Sequence, residues 1–270
     1  MPAADSPFWA NSAPARELPA AWRDAPPLRH LIHNRRSAQS YDAAAAPPAG
    51  LPAALFFDML RRMLYQPAWF PWLPAVQPFL FVHRVEGIEP GVYLLCRGRS
   101  CDELRPRLDP HRHHAWQPVG AAPADVPLVM LRSGDVRDAA RLGSCVQDIA
   151  SESAFAVAYL AEHLPALEMY GPWWYKRAHW EACALGGALY LAAGAAGNRT
   201  GELQATGIGC FFAPWVQAFL EVDAPDWADV YHFTLGWPHQ DSRVDVTGDP
   251  YSHVDNMHGI DRDTVDTTGQ

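Results

Sequence analysis

Apolar residues recur at helical spacing in two long stretches of the chain. After Pro52 they form one stripe, which consists of Leu55, Phe56, Met59, Leu60, Met63 and Leu64. A second helix is predicted from Gly171-Pro172 to about Leu191, because a proline in the first turn sacrifices no hydrogen bond. Gly186 and Gly187 in this helix would let another helix or a ligand approach closely. Shorter helices are predicted at 28–32 and 213–222.

A third long helix is predicted from Ser144, which with Gln147 forms a capping-box pattern. Ser144 would accept a hydrogen bond from the backbone three residues on, and Gln147 would reach back. The helix is expected to continue to about His163, with apolar and small residues on one face.

Strand patterns occupy other parts of the chain. Residues 79–85 are predicted to form a buried strand, 91–95 the return strand of a hairpin, and 126–131 a further strand. Between 230 and 235 the pattern alternates, which places Tyr231, Phe233 and Leu235 on one face of a strand. Polar residues 196–205 are expected to form a surface loop, and 206–212 a glycine-rich turn.

About four strands interleave irregularly with five or six helices, which predicts an α+β fold with helices around a small, antiparallel-rich sheet. This pattern does not favour a doubly wound parallel sheet. The domain is expected to span 27–252. An Ala/Pro-rich segment, 1–26, is predicted to be a flexible arm, and an acidic segment, 253–270, a flexible tail.

Composition narrows the classes of function. The 270 residues are 49% hydrophobic and carry a formal net charge of −9, which argues against general nucleic-acid binding. No apolar run is long enough to span a membrane, and the first residues do not resemble a signal peptide. We therefore expect a soluble, cytoplasmic protein.

The five cysteines are scattered and form no CxxC pair, so we expect them to be reduced. Histidines cluster at His111, His113 and His114, and a solvated loop is the expected explanation, because a metal site needs converging ligands. His253 and His258 lie in the polar tail. No metal site is predicted.

Three segments, in this order, are similar to motifs of one family. The first is 35–41, Arg-Arg-Ser-Ala-Gln-Ser-Tyr, and the second is 206–212, Thr-Gly-Ile-Gly-Cys-Phe-Phe. The third is 231–243, in which a strand leads to a Gly-Trp-Pro turn and then to Arg243. Together they resemble the nitroreductase superfamily, and the resemblance covers about Leu31 to Tyr251.

Finer features are similar to one branch, the SagB-type dehydrogenases, which include azoline oxidases of modified-peptide pathways. They are the hairpin at 85–93, the Tyr170-Gly171 pair and the helix at 175–181. Segments 147–150 and 171–175 look especially like the second half of tandem, double-domain members of this branch.

The resemblance implies a nitroreductase-like homodimer that binds FMN at its interface and exchanges hydride with a small-molecule or modified-peptide substrate. NAD(P)H is a candidate electron donor. Arginine suits a phosphate because its planar fork of donors stays charged. The residues that the resemblance assigns to the cofactor are Arg35, Arg36, Ser37, Gln39, Gln77, Gly207, Ile208, Gly209, Cys210 and Arg243. It also assigns a catalytic role in proton transfer to Tyr170.

Five positions and one loop depart from the family pattern. Gln39 stands where a basic residue is usual, Cys210 where glycine is frequent, and Met169 where the branch has a lysine beside its tyrosine. Gly187-Ala188 replaces a Gln-Asn pair. The loop 73–78 lacks the usual small residues, although Gln77 is expected to reach the ring edge. A non-catalytic recognition or scaffold subunit of a flavoprotein or peptide-modifying complex is therefore the alternative to an enzyme.

Overall fold

The computed structural model describes residues 26–64, 74–109, 114–200, 203–223 and 226–239. The predicted arm, apart from Pro26, and the predicted tail lie outside these ranges. The helices are α1 Leu28–Asn34, α2 Ala53–Leu64, α3 Cys101–Leu108, α4 Arg137–Gly143, α5 Asp148–Ser151, α6 Leu164–Tyr170, α7 Trp174–Thr200 and α8 Ala213–Phe219. The strands are β1 Val76–Val82, β2 Gly91–Leu95, β3 Gln117–Pro118, β4 Leu128–Ser133, β5 Phe155–Glu162, β6 Gln204–Ile208 and β7 Trp227–Gly236.

The strands form one sheet in the order β3-β4-β2-β1-β5-β7-β6, and every neighbouring pair is antiparallel. One face carries the apolar stripes of α2 and α7. The other face is covered by residues of α3, α4, α5 and α8. The α+β class with an antiparallel sheet is thus confirmed, although the described residues contain seven strands rather than about four.

The predicted alternation in β7 is confirmed. Tyr231 and Phe233 lie against Gly186 of α7, where an added Cβ would come within 2.9 Å of the Phe233 ring. His232 and Thr234 face the opposite layer, where they bond Ser144 and Tyr41. The small residues of α7 were expected to allow close packing, and Gly186 allows the rings of β7 to approach the helix closely.

The long helix predicted from Ser144 to His163 is wrong. Ser144 follows the last residue of α4, and residues 155–162 form β5, the strand between β1 and β7. All eight residues of β5 are buried, since both faces of the sheet are covered there. A strand buried on both faces shows no alternation, and its alanines then favour a helix when the sequence is considered alone. A capping box is formed by Ser100 and Glu103 at the start of α3, and not by Ser144 and Gln147.

Three other boundaries also differ from the predictions. Helix α7 runs to Thr200 and β6 begins at Gln204, so the loop predicted at 196–205 is mostly helix and strand. Residues 206–208 belong to β6, and the glycine-rich turn begins only at Gly209. The segment 76–78, predicted as loop, is the start of β1. For β6 and β1, pairing within the sheet overrides weak local propensity.

The prediction of reduced cysteines is wrong for four of the five. Cys96 pairs with Cys101, and Cys145 pairs with Cys210, with Cα atoms 5.5 and 5.8 Å apart. These separations suit a disulfide. The second pair joins positions 65 residues apart, which only the folded chain brings together. Cys183 is free and exposed.

None of the described helices combines the length and apolarity needed to cross a bilayer.

Candidate functional site

The segment that contains Arg35, Arg36 and Ser37 lies along the outer edge of β6. Ser37 forms a parallel bridge with Ala205, and the Ala38 amide donates to the Ala205 carbonyl at 3.4 Å. The Thr206 hydroxyl donates to the Ala38 carbonyl at 2.6 Å. Two of the three segments that the sequence singled out are therefore in direct contact, although the contacting residues are 168 positions apart along the chain.

Tyr190 of α7 connects these two segments, and the sequence analysis missed it. Its hydroxyl lies 2.8 Å from the Ser37 hydroxyl and accepts the Gly207 backbone N–H at 3.1 Å. The Arg35 guanidinium lies 4.4 Å from the centre of its ring. Phe233 packs edge-on against the same ring. Tyr190 thus fixes the positions of Arg35, Ser37 and Gly207 relative to one another. We call Tyr190, Arg35, Ser37 and Gly207 the Tyr190 cluster.

The polar groups of the 35–39 segment are largely open to solvent. Arg35, Ser37 and Gln39 are exposed, and Arg36 is half-buried. The Arg36 guanidinium donates to the His33 and Arg35 carbonyls, which turns the chain at the end of α1. The segment therefore presents guanidinium, hydroxyl and amide donors on one short stretch of backbone.

Gly207 packs closely against Tyr231 of β7. A Cβ added there would lie 1.8 Å from the Tyr231 hydroxyl, so any side chain at this position would displace the Tyr231 ring. Gly209 differs, since nothing lies within 4 Å of a Cβ at that position. Gly209 and Cys210 are exposed. Close packing therefore explains Gly207, whereas Gly209 leaves its backbone open to a ligand.

The loop after β6, residues 209–212, is joined to the turn between α4 and α5. Cys210 is bonded to Cys145, and the Gln147 amide donates to the Cys210 carbonyl at 3.3 Å. The Phe211 ring stacks on His232 at 4.8 Å. Cys145 is therefore a partner of this loop and is not a free nucleophile.

Beneath this loop lies a hydrogen-bonded series of three side chains. Ser144 Oγ lies 2.9 Å from His232 Nδ1, and His232 Nε2 lies 2.8 Å from Asp229 Oδ2. Burial raises the pKa of Asp229, while the contact with His232 opposes that rise. The order of groups is that of a hydrolase triad, but Ser144 is only 2% exposed. The series therefore braces the turn and does not present a nucleophile to substrate.

Gln77 lies away from the Tyr190 cluster, on β1. Its side chain is 2% exposed. Its amide donates to the Arg97 carbonyl at 3.0 Å and accepts the Arg97 backbone N–H at 2.9 Å. These bonds occupy the Gln77 amide within the core. The contact of Gln77 with the edge of the flavin ring stays a prediction.

Tyr170 ends α6, and its ring packs against Trp174 at 4.9 Å. Because Tyr190 follows Trp174 by four to five turns of α7, about 24 Å separate the two ends of this stretch. One chain therefore does not bring Tyr170 to the Tyr190 cluster. The neighbouring Met169 side chain is 64% exposed. A cation lies beside this aromatic pair, because the Arg177 guanidinium is 5.6 Å from the Trp174 ring centre and 3.5 Å from the Trp173 ring centre.

Arg243 and the histidines noted in the sequence remain. Arg243, His111, His113, His253 and His258 lie outside the described residues. His114 is described, and the expectation that it is solvated is wrong: it is buried, and its Nε2 lies 2.8 Å from the Leu220 carbonyl. Within the described ranges no group of three or more His, Cys, Asp or Glu side chains could hold a metal.

Comparison with solved structures shows that the chain has the nitroreductase fold. It resembles a proposed nitroreductase from Anabaena variabilis with a TM-score of 0.59 and 22% identity, over 78% of this chain but only 38% of that longer chain. A proposed nitroreductase from Ralstonia eutropha matches with a TM-score of 0.55 and 15% identity, over 88% of this chain and 93% of that chain.

A third similar structure is the E. coli microcin synthetase McbBCD complex with truncated pro-MccB17 bound. The TM-score is 0.54 and the identity 12%, over 84% of this chain and 76% of the matched chain. No family model matches the sequence, and no curated protein matches it. At these identities the likeness concerns the fold alone.

Proposed function

We propose that this chain is an FMN-binding oxidoreductase of the nitroreductase type, in which the Tyr190 cluster and its neighbours hold the phosphate end of the cofactor. The observation that carries the proposal is the contact between the 35–38 segment and β6. It gathers the exposed Arg35 guanidinium, the Ser37 hydroxyl and the backbone leading to Gly209 at one edge of the sheet. Solved structures with the same fold, described as proposed nitroreductases, support it.

The donor chemistry of these residues fits FMN. A phosphate dianion needs fixed donors that keep their charge, and Arg35 and Arg36 meet this need. Ser37 adds a hydroxyl, and Gln39 adds an amide donor without charge. We assign Arg243 to the phosphate as well, from its place in the sequence motif. Gly207, Ile208, Gly209 and Cys210 are assigned to the ring, because the backbone at Gly209 is open.

FMN, once bound, supplies hydride exchange in two half-reactions. The chain's own residues bind and orient it. Tyr190 keeps Ser37 and Gly207 in position, and Arg35 and Arg36 neutralise the phosphate. Tyr170 would serve as a proton donor to the substrate. Since it lies far from the Tyr190 cluster in its own chain, it would reach the site of a second copy.

The flavin proposal predicts a specific spectrum and reactivity. Purified protein saturated with FMN and then desalted should keep the blue absorbance band of bound flavin. Anaerobic stopped-flow mixing with NAD(P)H should bleach this band, and a quinone or nitroaromatic compound should restore it. Protein that remains colourless after saturation with FMN would contradict the proposal. If Tyr170→Phe leaves both rates unchanged, Tyr170 has no role in proton transfer.

A scaffold role is the second candidate. Gln39, Met169 and Gly187 depart from the family pattern, and Met169 points its side chain into solvent. The likeness to the microcin synthetase complex suits a subunit that recognises a peptide, as well as an oxidoreductase with a modified-peptide substrate. Protein that binds FMN but is reduced by neither NADH nor NADPH would favour this second candidate.

A homodimer is part of the proposal. Large apolar side chains are exposed around the junction of α6 and α7: Met169, Trp173, Tyr175 and Trp180 are 64%, 50%, 46% and 43% exposed. Large apolar side chains that are exposed together on one part of a surface are typical of an interface. Light scattering at micromolar concentration should therefore give twice the chain mass of 29.9 kDa. The variant Trp173→Glu should shift the mass towards the monomer, and a monomer mass for the unaltered protein would count against the dimer.

The predicted cytoplasmic location belongs to the same proposal. Disulfides in that compartment are usually transient, and catalytic or redox-sensing.

A further inference from the structure

We propose that Cys145–Cys210 is a thiol–disulfide exchange site that accepts electrons from an external dithiol, and that its reduction frees the 209–212 loop. The disulfide joins this loop to the turn between α4 and α5. The proposal does not depend on flavin binding, because it rests only on the cysteines and the backbone around them.

The two disulfides of the chain differ in how exposed their cysteines are to solvent. Exchange requires a thiolate to reach one sulfur of the bond. Cys210 is an exposed residue and Cys145 a half-buried one, so neither partner of this disulfide lies in the core. Cys96, by contrast, is 2% exposed, and Cys101 is half-buried with its sulfur near the Pro127 carbonyl. An external dithiol therefore meets Cys145–Cys210 first, and Cys96–Cys101 provides an internal comparison.

The backbone beside Cys145 is strained. Cys145 and Val146 have φ angles of 55° and 59°, the left-handed region that residues other than glycine rarely adopt. They are adjacent, and a β-branched valine is especially unfavourable there. Such strain persists only where the surroundings enforce it, and the covalent bond to Cys210 is one such constraint. Breaking that bond lets the turn relax, which favours the reduced state.

The other contacts of the loop are non-covalent. The Gln147 amide donates to the Cys210 carbonyl, Phe211 stacks on His232, and the Phe212 amide donates to the Gly143 carbonyl at 2.8 Å. These contacts hold the loop loosely after reduction, while β6 stays paired with β7. Reduction therefore changes the loop locally and leaves the sheet intact.

The reaction balances as a two-electron exchange. A thiolate of the external dithiol attacks the exposed Cys210 Sγ, the Cys145–Cys210 bond breaks, and Cys145 leaves as a thiolate. The second thiol of the dithiol then attacks the mixed disulfide and releases Cys210. The dithiol is oxidised to a disulfide, the two cysteines are reduced, and they take up the two protons that the dithiol loses.

The test is a native redox titration with dithiothreitol as the dithiol. Protein is equilibrated at set ratios of reduced to oxidised dithiothreitol, trapped with an alkylating agent and mapped by peptide mass spectrometry. Without reductant only Cys183 should be labelled. Cys145 and Cys210 should become labelled at a ratio about tenfold lower than Cys96 and Cys101, as relief of the strained turn implies. Labelling of Cys96 and Cys101 first or simultaneously, or labelling of all five thiols without reductant, would overturn the proposal.

Hydrogen exchange supplies the second measurement. Amides of 209–212 should exchange faster in protein reduced at Cys145 and Cys210, and equally fast in the variant Cys145→Ser/Cys210→Ser. The matched variant Cys96→Ser/Cys101→Ser should leave this loop unchanged. Because the reduced unaltered protein gives the same readout, a serine variant that fails to fold does not prevent the test. Unchanged exchange in the reduced protein would overturn the release of the loop.

Discussion

Replacement of Arg35 by alanine is expected to weaken FMN binding by about ten- to a hundredfold, because a charge-assisted hydrogen bond to phosphate contributes about 1.5–3 kcal/mol. The Arg35 side chain is exposed, and its guanidinium stacks on Tyr190 at 4.4 Å from the ring centre. Its position is therefore fixed by the ring, and no carboxylate of the described residues pairs with it. Titration of the apoprotein with FMN, followed by the quenching of flavin fluorescence, measures the change.

Arg29→Ala is the matched control. Arg29 is exposed on α1, so its loss changes the net charge equally without touching the Tyr190 cluster. Its FMN affinity should stay within about twofold of the original, since surface charges are screened over about 10 Å at moderate salt. Equal losses in Arg29→Ala and Arg35→Ala would mean that general attraction, and not a phosphate contact, controls binding.

Loss of the buried Arg97 side chain is expected to lower the free energy of unfolding by about 3–5 kcal/mol, because it would leave the charge of Glu181 buried without its partner. Arg97 and Glu181 are fully buried, 2.5 Å apart, and link β1 to α7. Arg97 also donates to the Met63 and Val76 carbonyls. Glu181 accepts the backbone N–H groups of Ala75 and Val76.

Urea unfolding of Arg97→Ala, followed by tryptophan fluorescence, measures this effect. Arg137→Ala is the matched control, because Arg137 pairs with Asp135 at the surface, where such pairs contribute about 0–1 kcal/mol. The double variant Arg97→Met/Glu181→Gln should recover part of the loss, since it buries no charge and keeps an acceptor oxygen for one of the two amides, Ala75 or Val76. Equal stability of Arg97→Ala and Arg137→Ala would refute the expectation.

Local patterns were sufficient to predict some elements. The apolar stripe predicted α2, and the strand at 91–95 was located at its observed bounds. The alternation around Phe233 identified the faces of β7, because one face packs against α7. The periodicity of α2 and β7 is visible in the sequence. All five residues of β2 are buried, and this strand was identified instead as the return strand of a hairpin.

Long-range features were not predictable in this way. Strand β5 is buried on both faces, which removes the alternation that identifies a strand. The Arg97–Glu181 pair joins residues 84 positions apart, and the Cys145–Cys210 bond joins residues 65 positions apart. Only the folded chain brings these partners together. Tyr190 lay in an unremarkable helical run. Its role follows from where α7 crosses β6, which local propensity does not encode.

The place of β7 in the sheet also constrains the order of folding during synthesis. β7 is the last strand along the described chain, yet it lies between β5 and β6. β6 pairs with no other described strand, so it has no sheet partner until Trp227–Gly236 has left the ribosome. The bridge from Ser37 to Ala205 and the bond from Gly207 to Tyr190 both depend on β6 being in place. The edge of the sheet that we assign to the phosphate therefore assembles late, after the nascent chain has already built β1, β2 and β5.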